Sequence, residues 1–256
     1  MKIPTQKRLA EISVLLEQEG FVKAKDLVQK YQVSMETIRK DLKLLEEKGI
    51  AKKEYGGASI SMLNIEKAFV YRSDKVEEKK AIANLAASFL SEQKVVIIDS
   101  GTTCLFFAKY INSFDAKDII TNSVSAYEIL DGNKHNVFLT GGKKREKSNS
   151  MIGNWTETFL KNAQVDICFL GTSGLLGSAG PTSYSYHELG TKRAMIKQSE
   201  LVFVLADSDK FRKKGFHTFA DWSEIDGIIT DQKLSLKLYE EYSKKVPVYM
   251  VEGEKE

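Results

Sequence analysis

Apolar residues in the first part of the chain recur at spacings of three and four, which is the period of a helix with one buried face. This pattern predicts three helices, at 3–19, 24–31 and 35–48. Gly20 and Gly49 end the first and the third, and a tight break falls at Gln32 and Val33. Ser34 is a good N-cap residue for the third helix. The segment 50–58 is typical of a short hairpin with two lysines near its tip.

A short helix, a tight turn and a capped helix with a polar outer face form a helix-turn-helix, and the basic hairpin adds a wing. The first residues of the third helix then lie where side chains can enter the major groove. We expect Arg39 and Lys40 to contact phosphates or guanine edges, and Lys7 and Arg8 to contact the DNA backbone. A three-helix protein-interaction domain is the alternative. The full set of expected DNA-binding residues is Ser34, Met35, Glu36, Thr37, Arg39, Lys40, Lys52 and Lys53.

After residue 76 the pattern changes to short, continuously apolar runs separated by helical stretches. The runs lie at 95–98, 118–120, 136–139, 166–170, 201–205, 227–229 and 246–250. Continuous apolarity indicates strands buried on both faces, so we predict a doubly wound, mainly parallel α/β domain. The predicted organisation is a winged helix-turn-helix domain at 3–58 (helix-turn-helix core about 20–39), a linker at 59–75 and an effector-binding domain at 76–251.

Ligands of doubly wound sheets bind at the carboxyl ends of the strands. Five predicted strands are followed there by glycine, hydroxyl or charged residues that suit a phosphate or another anion. The expected effector-binding residues are Asp99, Gly101, Thr102, Thr103, Thr121, Asn122, Ser123, Gly141, Gly142, Asp207 and Lys210. Lys79 or Arg145 is a further source of positive charge. Such loops also end strands without binding anything, and Asp99 and Asp207 suit helix capping as well as ligand contact.

Composition narrows the classes of function. Residues 1–60 carry 12 Lys/Arg and 9 Asp/Glu, whereas 61–256 carry 26 of each, so the positive excess lies in the predicted DNA-binding part. Two distant cysteines among apolar residues indicate buried thiols, and the three histidines have no metal-ligand spacing. With no long apolar run and no signal peptide, we expect a cytoplasmic protein without a membrane span, a metal or another cofactor.

Particular motifs then resemble those of a known family. The run from Val33 to Leu42, followed by Leu45-Glu46 and Gly49, resembles the winged helix-turn-helix signature of the DeoR family of bacterial regulators. Lys40 stands where the family has arginine, and Tyr55 in Tyr55-Gly56-Gly57-Ala58 stands where it has histidine. The resemblance extends over about 3–231, through segments such as Asp99–Thr103, Thr121–Ser123 and Asp207–Phe211.

The resemblance implies a sensor domain similar to ribose-5-phosphate isomerase that binds a phosphorylated sugar or sugar alcohol. It implies phosphate contacts at Gly101, Thr102 and Thr103 and sugar contacts at Asp207 and Lys210. The expected function is repression of a sugar-utilisation operon, relieved by the effector, with a homodimer or homotetramer bound to operator DNA.

Two other classes of protein remain open. The main alternative is an isomerase-like enzyme fused to a DNA-binding arm. The loop after 166–170, however, contains no carboxylate for proton transfer. A non-specific architectural DNA protein is the other alternative, and it would need broad basic charge and no pocket.

Overall fold

The computed structural model of the chain describes residues 5–19, 21–47, 50–60, 75–92 and 94–252. The chain divides into two compact units, Met1–Lys67 and Ala68–Glu256. The predicted helix start at residue 3, the helix ends at Gly20 and Gly49, and 61–74 of the predicted linker lie outside the described residues. The predicted domain boundaries stay predictions, although residues 59 and 60 belong to the last strand of the wing rather than to a linker.

The N-terminal unit has the predicted helices and wing. Its elements are α1 (Thr5–Glu19), β1 (Phe21–Lys23), α2 (Ala24–Tyr31), α3 (Met35–Glu47), β2 (Ala51–Glu54) and β3 (Gly57–Ile60). The strands form an antiparallel sheet in the order β1-β3-β2. Residues at helical spacing from all three helices, among them Ile12, Leu27 and Ile38, make one buried cluster. Burial of this shared apolar face stabilises helices too short to persist alone.

The C-terminal unit is built around a seven-stranded sheet, and all seven predicted strands are confirmed. They are β4 (Val95–Ile98), β5 (Asp118–Thr121), β6 (Asn136–Leu139), β9 (Val165–Gly171), β11 (Ser199–Leu205), β13 (Gly227–Thr230) and β14 (Val248–Met250). Their order is β14-β13-β11-β9-β4-β5-β6, and every pairing is parallel. The mainly parallel α/β fold is therefore confirmed.

Helices cover both faces of this sheet. They are α4 (Val76–Ala87), α5 (Thr102–Ile111), α6 (Val124–Ile129), α7 (Asn154–Leu160), α8 (Leu189–Lys197) and α9 (Leu236–Ser243). One buried cluster joins α4, α5 and α6 to one face of the sheet, and another joins α7, α8 and α9 to the opposite face. Neighbouring residues of a strand, such as Ile167 and Cys168, belong to different clusters. Burial on both faces explains why the strands are continuously apolar.

Two small antiparallel pairs were not predicted. One joins β7 (Lys143–Arg145) to β8 (Ser150–Ile152), and the other joins β10 (Thr182–Ser183) to β12 (His217–Thr218). Both pairs lie outside the large sheet, in segments that follow strands of that sheet along the chain.

Candidate functional site

The turn before α3 sets where that helix begins. Gln32 ends α2 with φ 52° and ψ 45°, in the left-handed region. The Ser34 hydroxyl then accepts a hydrogen bond from the Thr37 amide at 3.1 Å, and the Ser34 and Thr37 side-chain oxygens lie 2.9 Å apart. Ser34 is therefore the N-cap, as predicted, because its oxygen satisfies a donor that the first turn leaves free.

α3 has one buried face and one exposed face. Ile38, Leu42 and Leu45 are buried in the core of the N-terminal unit. The expected DNA-binding residues Glu36, Arg39 and Lys40 are exposed, while Met35 and Thr37 are half-buried. Lys40 pairs with Glu36 at 3.0 Å. The helix thus presents charged side chains outward from its first turns, as a recognition helix does.

The expectation that Arg8 contacts DNA is wrong. Arg8 is 5% exposed and Asp41 is 2% exposed. Arg8 Nε donates to Asp41 Oδ2 at 2.6 Å, and Nη2 donates to Asp41 Oδ1 at 3.1 Å. This bidentate pair ties α1 to the inner side of α3, so Arg8 positions the recognition helix instead. The side chain of Lys7 lies outside the described residues.

The wing carries its cations on an exposed strand. Lys52 and Lys53 lie on β2 with exposed side chains. Tyr55, at the tip, is fully exposed at 105% of its reference area. The Lys53 amide donates to Glu46 Oε1 at 2.8 Å, which joins β2 to the end of α3. The recognition helix and the wing therefore belong to the same compact unit.

In the C-terminal unit, the order of the strands brings the predicted effector loops into one row. The five strands that precede them are neighbours, in the order β11-β9-β4-β5-β6. At a strand spacing of about 4.8 Å, the row is about 19 Å long. A single small ligand does not span that length. The loops after β9, β4 and β5 are the central group, with Asp207 and Lys210 at one end and Gly141 and Gly142 at the other.

The loop after β4 leads into the N-terminus of α5. Gly101 is the residue before this helix and has φ 123°, a conformation that favours glycine. Thr102 and Thr103 form the first turn, Thr102 half-buried and Thr103 buried. The first amides of a helix have no partners within it, and Gly101 has no side chain to cap them, so this turn suits an anion.

The loop after β5 uses most of its polar groups internally. Thr121 Oγ1 donates to the Ile98 carbonyl at 2.7 Å, and Ser123 Oγ caps α6 by accepting from the Ala126 amide at 3.1 Å. Asn122 Nδ2 donates to the Met151 carbonyl at 3.2 Å. Among the described residues, Asn122 Oδ1 is buried without a hydrogen-bond partner. A buried acceptor without a partner is a candidate contact for a hydroxyl group of a ligand.

Asp99 forms a buried ion pair that the sequence did not reveal. Its Oδ2 accepts from the Gly171 amide at 2.9 Å and pairs with Lys192 Nζ, which also donates to the Gly171 carbonyl at 2.8 Å. Burial by itself would lower the pKa of Lys192, but the charge of Asp99, followed by that of Glu188, raises it above its ordinary value. Asp99 is thus held by a charge partner, and the alternative that it caps a helix is wrong.

The loop after β6 contains Gly142, which has φ 116°. A Cβ there would lie 2.4 Å from Thr156 Oγ1, so only glycine fits.

A second charge pair lies beside this loop. Arg145 Nη1 pairs with Glu188 Oε1 at 3.3 Å, and Ser183 donates to Glu188 Oε2 at 2.8 Å. Lys192, Glu188 and Ser183 were not among the predicted effector-binding residues. These three residues come near the edge of the sheet because of the way 172–192 folds, and the sequence alone does not show this.

Asp207 and Lys210 lie in the loop after β11. Asp207 Oδ1 accepts from the Asp209 amide at 3.2 Å, so the capping alternative is borne out for this residue. Lys210 is half-buried, and its carbonyl accepts from the Leu175 amide at 2.9 Å. Lys79, the other suggested cation, is buried in α4.

Sequence comparison gives a consistent result for both units. The DeoR-like helix-turn-helix domain matches residues 8–62, and the DeoR C terminal sensor domain matches residues 74–232. The chain belongs to the DeoR family. It is a DNA-binding transcriptional regulator with an N-terminal winged helix-turn-helix domain.

Similar DeoR-family regulators align along most of their lengths. The HTH-type transcriptional regulator GolR of Listeria innocua is 31% identical over 92% of this chain and 94% of the relative. The glycerol-3-phosphate regulon repressor of Escherichia coli is 30% identical over 85% and 87%. The lactose phosphotransferase system repressor of Staphylococcus epidermidis is 30% identical over 88% and 91%.

Two solved structures are distantly similar to this chain. A ribose-5-phosphate isomerase in complex with phospho-erythronic acid aligns over 52% of this chain and 53% of its own, with a TM-score of 0.38 and 16% identity. The β subunit of eIF2B from Chaetomium thermophilum aligns over 76% and 52%, with a TM-score of 0.44 and 12% identity. At these values neither structure says anything about the ligand or activity of this DeoR-family chain.

The described residues were also compared with the expectations for thiols, metal sites and membrane spans. Cys104 and Cys168 are free and buried, as expected, and burial raises the pKa of both thiols. In the part of the chain that the structure describes, no group of three or more His, Cys, Asp or Glu residues is arranged to hold a metal ion. No helix within the same residues is both long and apolar enough to span a bilayer.

Proposed function

We propose that this DeoR-family regulator is a sequence-specific repressor of a sugar-utilisation operon. The observation that carries the proposal is the exposed outer face of α3, whose Glu36, Arg39 and Lys40 project from a helix fixed by its cap and by the buried Arg8–Asp41 pair. Relatives named as repressors of a glycerol-3-phosphate regulon and of a lactose phosphotransferase system support the choice of operon.

A phosphorylated sugar or sugar alcohol is the proposed effector. Its phosphate would bind the first turn of α5 at Gly101, Thr102 and Thr103, where helix amides and hydroxyl groups suit an anion. Hydroxyl groups of the sugar would bind the neighbouring loops, with Asn122 as one acceptor. No cofactor is needed for this recognition.

Effector control requires that the ligand bind one arrangement of the DNA-binding units better than another. We propose that the protein acts in the cytoplasm as a homodimer or homotetramer, placing two winged heads on a repeated operator. Effector binding would stabilise an arrangement whose heads no longer match the spacing of the half-sites.

Catalysis is not part of the proposal. The loop after β9 offers Thr172 and Ser173 but no carboxylate, and the Asp99 carboxylate is held by Lys192 and the Gly171 amide. Aldose–ketose isomerisation needs a base that is free to move a proton between adjacent carbons. Absence of turnover in coupled isomerase assays with pentose and hexose phosphates is the expected result.

The test is a binding titration with labelled DNA from upstream of the protein's own and neighbouring genes. It is run at one fixed salt concentration, against a scrambled duplex of the same composition, because non-specific binding varies steeply with salt. Glycerol 3-phosphate, fructose 1-phosphate, fructose 6-phosphate, galactose 6-phosphate and tagatose 6-phosphate form the effector panel. Specific binding released by one compound supports the proposal, whereas equal binding to both duplexes contradicts it.

A further inference from the structure

Lys75 has an unusual conformation at the beginning of the C-terminal unit. It directly precedes α4 with φ 58° and ψ 47°, in the left-handed region that lysine rarely adopts. Its side chain makes no capping hydrogen bond to the helix.

The side chain of Lys75 pairs with two carboxylates of the loop after β11, which we define as 206–212 and call the β11 loop. Lys75 Nζ lies 2.5 Å from Asp209 Oδ2 and 3.7 Å from Asp207 Oδ1. Burial would lower the pKa of Lys75, but the hydrogen bond with Asp209 and the nearby negative charges raise it above its ordinary value. The lysine is therefore charged at neutral pH, and it joins the start of α4 to the β11 loop.

A cavity of about 240 Å³ lies beside this ion pair. Lys75 and Asp209 line one part of it, and Glu78 and Lys233, themselves paired, line another. Arg212 also lines the cavity.

We propose that Lys75 couples the effector site to the chain that leads to the DNA-binding unit. The inference rests on the proposed function, together with the sugar contacts at Asp207 and Lys210 that the family resemblance implies. With its sugar end at Lys210, the anionic effector would bring negative charge nearer to Asp207 and Asp209 and weaken their pairing with Lys75. Binding therefore changes the pairing of Lys75, which lies directly before α4 and follows 61–74 in the sequence. Lys75 is a positioning residue and need not contact the effector.

The test compares three variants. Lys75→Gln removes the charge at similar length, and Lys75→Arg keeps it. Lys233→Gln is the matched control, because it also removes a lysine paired with a carboxylate beside the same cavity. For each variant we measure operator affinity, direct binding of the panel compounds and the concentration that releases half the DNA.

Lys75→Gln is expected to keep operator affinity and effector binding but to need at least about fivefold more effector for release, the lower end of typical allosteric coupling. Lys75→Arg and Lys233→Gln are expected to match the wild type. Release by Lys75→Gln at the wild-type concentration overturns the inference, as does an equal loss in Lys233→Gln.

A second measurement keeps the inference separate from the proposed function. Amide hydrogen exchange over 76–79, without effector, is expected to speed up in Lys75→Gln and to stay unchanged in Lys75→Arg, which keeps the charge. If no panel compound releases wild-type protein, the proposed effector class fails. The exchange result then decides whether Lys75 holds the start of α4, and unchanged exchange overturns that role.

Discussion

Arg39 lies on the exposed face of α3, one turn after the Ser34 cap, where a side chain reaches base edges in the major groove. We predict that Arg39→Ala weakens operator binding by about 1–3 kcal/mol and relaxes specificity at one base position. Titration of the operator and of single-base variants measures both effects. Arg39→Lys keeps the charge without the bidentate geometry and should restore affinity more than specificity. An unchanged affinity in Arg39→Ala would remove the base contact.

Arg8 acts on DNA binding only through α3. Arg8→Leu leaves Asp41 buried without its cation, and we predict a loss of about 3–5 kcal/mol in the free energy of unfolding. The double variant Arg8→Leu/Asp41→Leu removes both charges and should recover much of that loss. Chemical denaturation measures the stabilities. Equal destabilisation of the single and double variants would argue against the pair as the cause.

Single residues also show where sequence reasoning reaches its limit. The apolar period and the Ser34 cap are local signals, and both predicted their elements correctly. Lys192 pairs with Asp99 across 93 positions, and Arg8 with Asp41 across 33. No local pattern distinguishes these buried charges from solvent-exposed ones, because their burial depends on how distant elements pack.

Among the elements, the seven strands of the large sheet were predictable because burial on both faces makes each a continuous apolar run. The short strand β1 was missed, since three residues carry no period and its partner β3 lies 34 or more positions further on. β7 was missed because its sequence, Lys143-Lys144-Arg145, is wholly basic. The row of effector loops was predicted, but its length of about 19 Å follows only from the strand order.

The wing is the element expected to supply sequence-independent affinity. We predict that Lys52→Ala and Lys53→Ala weaken binding to operator and scrambled duplex alike. Each change should reduce the slope of log affinity against log salt by about 1, because each removes one phosphate contact. Titrations at several salt concentrations measure the slope. Lys43→Ala, an exposed lysine on α3 paired with Glu47, is the control; a similar change there would show a general charge effect.

The N-terminus of α5 is the element expected to bind the phosphate of the effector. We predict that Thr102→Val leaves operator binding intact and abolishes release by the active panel compound, because the hydroxyl is replaced by a methyl group. Thr102→Ser keeps a hydroxyl and is expected to respond like the wild type. The same release titration measures both variants. A normal response by Thr102→Val would count against this loop.

For the whole molecule, the pH dependence of stability tests the burial of His135. This side chain is buried, and its Nδ1 accepts from the Lys117 amide at 3.2 Å. Burial, followed by the charge of Lys134, lowers the pKa of His135 below its ordinary value. Its contribution to stability is therefore complete above about pH 6.5 and is lost as the pH falls through the lowered pKa.

We expect the melting temperature of the wild type to fall between pH 7 and pH 5 more steeply than that of His135→Gln, which retains an acceptor for Lys117. His187→Gln changes an exposed histidine and should follow the wild type. Scanning calorimetry at a series of pH values measures the difference. Parallel curves for wild type and His135→Gln would mean that another group causes the loss.

The central claim is a division of labour, in which the N-terminal unit recognises the operator and the C-terminal unit senses the effector. The most direct measurement is one operator titration, with and without the active panel compound, on wild type, Arg39→Ala and Thr102→Val. The account predicts that Arg39→Ala binds the operator weakly but still binds the compound, whereas Thr102→Val binds the operator normally and is not released. The claim is contradicted if each variant loses both operator binding and the response to the compound. It is also contradicted if each variant keeps both.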